Sequence, residues 1–223
     1  MAKTKIPVQS YIRSIGYITF IYLSVFAVIT LWTGNAEFFF YTLALGAFVY
    51  IFLHYQPRVY MNYYLPQRAV TSLSILGFLA LGGGVISVHG DTLMNLVLIP
   101  NILKYQDVLH MMFMFVNVII SYTFLKPYML HQRLLDTRLG RTMFYVMMIL
   151  IVSGVGAVIE VVEFFAATFL DAPVGSYTSN ALDLLFNLVG AVIATFFLPL
   201  EKKDDPITKE EWLEYRDELK QEG

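Results

Sequence analysis

The chain contains no cysteine. Disulfide staples, thiolate zinc sites and cysteine nucleophiles are excluded by that alone. Charge is scarce as well. Asp, Glu, Lys and Arg make up 14% of the residues, where a soluble domain carries about 25%. Apolar residues fill the gap: 57% of the 223 residues are hydrophobic, against roughly 45–50% in soluble domains. An ordinary soluble globule, a disordered chain and a secreted disulfide scaffold are all ruled out. The net charge of −2 offers no basic surface for nucleic acid. An integral membrane protein is what remains, and its chemistry has to be read from where the few charges sit.

A bilayer core takes roughly 20 mostly apolar residues per helix. Six runs meet that need: 15–33, 36–53, 69–88, 108–125, 142–170 and 180–200. They are continuous rather than alternating in polarity, which argues for helices and against a transmembrane β-barrel. The fold class expected is therefore an all-α integral membrane protein with six transmembrane helices. The first run is too long for a typical signal-peptide core and no small-x-small cleavage site follows it, so it reads as a retained helix.

Lys and Arg sort between alternate loops. One side receives Lys3, Lys5, Arg13, Arg58, Arg68, Lys126, Arg133, Arg138, Arg141 and the C-terminal tail; the other receives Lys104. The positive-inside rule then puts both termini in the cytoplasm, in a multi-pass protein of the cell membrane. The tyrosines Tyr55, Tyr60, Tyr63 and Tyr64 suit a headgroup-level belt. Between the third and fourth runs, the apolar stretch Leu93–Leu103 is interrupted by Pro100 and Asn101 and is too short to span. It reads as an interfacial or re-entrant piece. In the tail, 201–223, a capping-box pattern at Thr208 and Glu211 precedes Trp212, Tyr215 and Leu219 on one face. A short amphipathic cytoplasmic helix is expected there, in a charge-rich tail.

Without that tail eight acids remain: Glu37, Asp91, Asp107, Asp136, Glu160, Glu163, Asp171 and Asp183. Asp107 opens the fourth run and His110 lies one turn deeper. Glu160 is about 18 residues beyond Thr142, roughly 27 Å along a helix, which places it in the outer leaflet. Glu163 follows one turn on. Asp183 lies near the start of the sixth run, with Asn187 one turn deeper. Asp107, His110, Glu160, Glu163, Asp183 and Asn187 thus share one depth on three consecutive helices, and form the candidate ligand-binding cluster. A charge at the centre of a spanning helix costs roughly 2.5–3.5 kcal/mol even on the lenient scale. Asp107 and Asp183 are excused in part by helix N-termini; Glu160 and Glu163, inside Val158–Phe165, are not. Two like charges there share a proton, or hold a cation between themselves and His110.

Asp107-x-x-His110, then Glu160-Val-Val-Glu163-Phe164, then Gly175 and Asn180-x-x-Asp183-Leu184-x-x-Asn187-x-x-Gly190-Ala191 together resemble the motifs of VanZ-like and YjdF-like bacterial membrane proteins. The likeness covers roughly residues 105–195. It implies a polytopic bacterial or archaeal membrane protein at the outer membrane–wall boundary, and little chemistry. In the family another acid often precedes the final Asp by four residues. This chain has Ser179-Asn180 there, one potential ligand fewer.

Three functional readings follow. In the first, a divalent cation or polar headgroup binds at the cluster, with His110, Glu160, Glu163 and Asp183 as metal ligands and Asp107 as supporting group or base. Carboxylates suit hard cations and the imidazole shifts the preference toward Zn or Mn. A lipid-linked substrate or headgroup is the partner class beside the bilayer itself. In the second, the paired carboxylates and His relay protons in an ion-coupled transporter. In the third, the same groups form a structural polar network in a non-catalytic scaffold. No nucleophile elbow, phosphate loop or His-Glu-x-x-His is present to identify an enzyme. Ser153, Gly154, Gly156 and Ala157 read as small residues that let helices approach.

Overall fold

The computed structural model describes residues 8–59, 67–100, 102–131, 135, 137–170 and 177–198. The tail 201–223 with its expected helix, the tyrosines 60, 63 and 64, Lys3, Lys5, Arg133, Asp136, Asp171 and Gly175 lie outside the described residues.

Each apolar run lies on a helix: α1 (Val8–Trp32), α2 (Ala36–Val59), α3 (Gln67–Val85), α4 (Tyr105–His131), α5 (Arg138–Leu170) and α6 (Tyr177–Thr195). In lipid a chain must satisfy its own backbone groups, and a helix does so within one segment. Threonine hydroxyls follow the same rule. Thr30 Oγ1 donates to the Phe26 carbonyl at 2.8 Å and Thr123 Oγ1 to the Ile119 carbonyl at 2.9 Å. The α1–α2 turn is built on Gly34, at φ +68°, and on Asn35, whose Oδ1 accepts the Phe38 N–H at 3.2 Å. That bond caps α2. Thr137 caps α5 in the same way, accepting the Gly140 N–H at 3.0 Å.

Four stretches among the described residues are long and apolar enough to cross a membrane: Ser14–Trp32, Arg68–Val85, Tyr105–Lys126 and Arg138–Phe165. Helices α2 and α6 carry shorter apolar stretches, Phe38–Ala47 and Ser179–Thr195. Helix α3 ends at Val85, three residues before the expected limit, and α6 at Thr195.

The helices gather in two groups. In one, α4, α5 and α6 enclose Met114, Val118, Phe144, Met148, Val152, Ala191 and Ala194. In the other, α1–α3 meet around Leu23, Phe26 and Leu81. Leu76 of α3 and Leu109 and Val116 of α4 join the groups. Polar contacts also tie α1 to α3: Thr19 and Ser74 hydroxyls are 2.7 Å apart, and Tyr22 donates to the Ser74 carbonyl at 3.0 Å.

The exterior is the reverse of a soluble protein's. Trp32 is 89% exposed, Phe196 81% and Leu139 70%, while Asp107, Glu160 and Asp183 are buried. A solvent of lipid explains apolar groups outside and acids inside.

The stretch between α3 and α4 departs from expectation in form. It contains two small antiparallel hairpins, β1 (Ser87–Val88) with β2 (Asp91–Thr92), and β3 (Val97–Ile99) with β4 (Leu103–Lys104). A 3-10 turn, Leu93–Asn95, separates them. Gly90 at φ +89° and His89 at φ +54° make the first turn. Asp91 accepts from the Asn95 amide at 3.0 Å and the Thr92 N–H at 2.7 Å. Those donors, Asn95 foremost, hold its carboxyl below the usual carboxylate range.

Candidate functional site

Three helices supply the site. Helix α4 brings Asp107 and His110, α5 brings Glu160 and Glu163, and α6 brings Asp183 and Asn187. Spacing of three or four residues puts each pair on one face of its helix. The meeting of α4 and α6 depends on Gly190. A Cβ there would overlap the Met111 backbone carbonyl of α4. Gly156 does the same for α5: a Cβ would lie 2.7 Å from Asn187 Nδ2. Gly154 and Ala157, read from sequence as similar packing residues, face outward. A Cβ on Gly154 meets nothing within 4 Å, and Ala157 is exposed.

His110 sits at the centre. Its Nδ1 is 3.2 Å from Asn187 Oδ1 and 3.6 Å from Glu160 Oε1. Its Nε2 is 4.0 Å from Asp183 Oδ1. An amide oxygen can only accept, so Asn187 favours the Nδ1–H tautomer and leaves the Nε2 lone pair available. One ligand atom each from His110, Glu160 and Asp183 fall within 4.8 Å of one another. Ligands held at about 2.1 Å in a tetrahedron stand roughly 3.4 Å apart, so side-chain shifts of about an ångström close the trio on one ion.

Among the described residues, the buried side-chain polar atoms that lack a hydrogen bond gather mainly at this point. Five buried side-chain polar atoms lack a hydrogen-bond partner among the described residues. Four of them are here: both oxygens of Glu160, Oδ1 of Asp183 and Nδ2 of Asn187. Glu160 and Asp183 are 6% and 2% exposed. Within ion-pair distance they have His110 alone among the described residues. An unsatisfied buried polar group costs about 1–3 kcal/mol, and more when charged. The three carboxylate oxygens among them are satisfied by a further cationic or protonic partner, whereas Asn187 Nδ2 needs an acceptor.

The other two candidates take different places. Asp107 is buried and accepts the Lys104 N–H at 2.5 Å, so it caps the start of α4 beside Asp183. Glu163 is half-buried one turn beyond Glu160, outside the converging trio yet within electrostatic reach of Glu160 and Asp183. Gln106 was not singled out from sequence; its amide donates to Asp183 Oδ2 at 3.3 Å and so fixes that carboxylate. Its position one residue before Asp107 gave no signal, because the residue faces Asp183 only once α4 and α6 have packed.

No curated protein and no solved structure matches the chain. One family model does, and it extends over residues 17–203, which reaches from within α1 through α6. With that match, the inside-out distribution of charge and the apolar helices agree: the chain belongs to the family of predicted membrane proteins DUF2238.

Proposed function

We propose that this membrane protein holds a divalent cation between α4, α5 and α6, with His110, Glu160 and Asp183 as protein ligands. The reading is carried by one observation: three unpartnered buried carboxylate oxygens, two of Glu160 and one of Asp183, lie around the imidazole of His110. A mixed imidazole–carboxylate set suits Zn or Mn better than Ca or Mg. Three protein ligands leave a coordination position for water or for an anionic oxygen, such as that of a lipid headgroup. Glu163 adds negative charge one turn away. On this reading the chain crosses the cell membrane six times with both termini cytoplasmic, as its Lys and Arg distribution suggests. The narrower kinship with VanZ-like and YjdF-like proteins rests on the acid and histidine spacings alone.

The test is metal content. Protein purified in detergent without a histidine tag is expected to carry one Zn or Mn per chain. Stripping it with a chelator should lower the Tm, and re-adding that metal should restore it. A ligand at 100 times its Kd stabilises by about 2.7 kcal/mol, which for a chain of this size is a shift of about 5–10 °C. A metal-free preparation whose Tm ignores both treatments would leave a proton relay or a structural network as the better account.

Asn187 has a separate signature. Replacing it with leucine keeps the volume but frees the imidazole to rotate and change tautomer. Loss of such an orienting partner typically weakens metal binding 10–100-fold. Asn187→Asp keeps the acceptor and should retain most of the affinity. Competition with a chromophoric chelator measures both variants.

A further inference from the structure

The hairpin β3–β4 has an arrangement that neither water nor a protein partner explains. Successive residues of a strand point to opposite faces. Yet Val97, Leu98 and Ile99 are each about half exposed, at 53%, 46% and 46%, and Ile102 across the turn is 60% exposed. A bulge between Val97 and Ile99 interrupts strict alternation, yet all three β3 residues and Ile102 are open, while Leu103 and Lys104 of β4 are partly buried. A protein docked on one face would leave the other in water. A fluid apolar medium covers both together.

The hairpin is also in the right place. It lies in the stretch joining two membrane-crossing candidates, Arg68–Val85 and Tyr105–Lys126, so it emerges at the membrane boundary. Ile86, just past the end of α3, is exposed as well. Its root is polar, with Asp91, Asn95 and Lys104, whereas Leu96–Ile99 carries no charge. The depth is limited by the backbone. A two-stranded hairpin leaves the outward N–H and C=O groups of both strands unpaired, and each would cost several kcal/mol in hydrocarbon. Pro100 at the turn has no N–H to satisfy.

We propose that Val97, Leu98, Ile99 and Ile102 form a wedge seated in the headgroup and upper acyl region of one leaflet, a lipid-binding element rather than a re-entrant helix. The wedge is fixed to the site. Lys104 donates its N–H to Asp107, and the Tyr105 N–H bonds the Leu96 carbonyl at 2.9 Å. Where the wedge rests in the leaflet therefore sets the depth of the first turn of α4, and His110 lies one turn below. This inference depends on the membrane location of the chain and is independent of any metal.

Absence of native cysteine makes the test direct, because every introduced thiol is the only one. Leu98→Cys, Ile102→Cys and, as a polar-root reference, Ser87→Cys are each spin-labelled in the full chain. The chains are reconstituted in vesicles of phosphatidylethanolamine and phosphatidylglycerol. Collision rates with oxygen and with a water-soluble nickel chelate give the depth. The expected result is a ratio of oxygen to nickel collisions several-fold higher at 98 and 102 than at 87, at a depth just below the phosphates. Three results would overturn the proposal: nickel access at 98 and 102 equal to that at 87, a depth near the bilayer centre, or labels shielded from both reagents as in a protein contact. Reading two positions keeps the test decisive if one variant fails to fold.

Discussion

Replacing His110 with alanine is expected to empty the proposed metal site while leaving the protein folded. The imidazole is the one nitrogen donor in the proposed ligand set, and it also stands between the two carboxylates, 3.6 Å from Glu160 and 4.0 Å from Asp183. Loss of a group that merely orients a ligand weakens metal binding 10–100-fold, so loss of the ligand itself should exceed about 100-fold. Purified protein would then pass from one metal ion per chain to almost none. His110 is 13% exposed and borders buried carboxylates, so its removal leaves a polar space that water can fill. The two acids can then take up protons in place of the ion. The expected consequence is a variant that expresses well, is insensitive to chelator, and melts near the stripped wild type. Glu163→Gln is the comparison. Glu163 lies outside the converging trio, so that variant should keep its metal, with affinity altered through long-range charge alone. A structural network predicts the opposite ranking for stability: His110→Ala would then destabilise the protein whether or not a metal is supplied. Acidification should mimic the alanine variant in wild type, because protons compete with the ion for all three ligands and affinity falls as pH falls.

Gly190→Ala carries the largest expected structural effect. The added Cβ would run into the Met111 carbonyl of α4, which is backbone and has no rotamer to escape into. Overpacking a close contact typically costs about 1–3 kcal/mol, and backbone opposite backbone falls at the upper end. Relief requires α6 to move off α4. That motion carries Asp183 and Asn187 away from His110, so metal affinity should fall together with Tm. Gly156→Ala should separate the two effects. Its Cβ meets the Asn187 side chain, which can turn away. Metal binding is then expected to weaken with a smaller loss of stability. Gly154→Ala, with open space around its Cβ, should alter neither. Melting curves and metal titrations on the three variants test this order; equal effects at 154 and 190 would refute the packing account.

The contrast between these glycines shows which parts of the molecule were legible in the sequence. Positions 154 and 156 differ by about 200° around a helix, so they face opposite ways. Composition marks both as small, and only the direction of α6 decides which is a contact. The acids were more legible. Glu160 and Glu163 lie in an apolar run that gives them no solvent, and the one-turn spacing of Asp107 with His110 and of Asp183 with Asn187 puts each pair on one face. Which acid turns fully inward was not encoded locally: Glu160 is buried and Glu163 is half-buried. Asp107 was legible as a residue at a helix start, and its bond to Lys104 is the one that position favours. The helices could be placed because continuous apolar runs have one backbone solution in lipid. The hairpins could not, since strands of two or three residues are too short for an alternating pattern to register.

X-ray absorption at the metal edge of the purified, tag-free protein tests the central claim most directly. An ion held by His110, Glu160 and Asp183 should show a first shell of nitrogen and oxygen at about 2.0–2.2 Å, with no sulfur. It should also show the outer-shell scattering of a single imidazole, which His110→Ala abolishes. A shell of oxygen alone that is unchanged in His110→Ala, or no bound metal in the wild-type protein, would contradict the account.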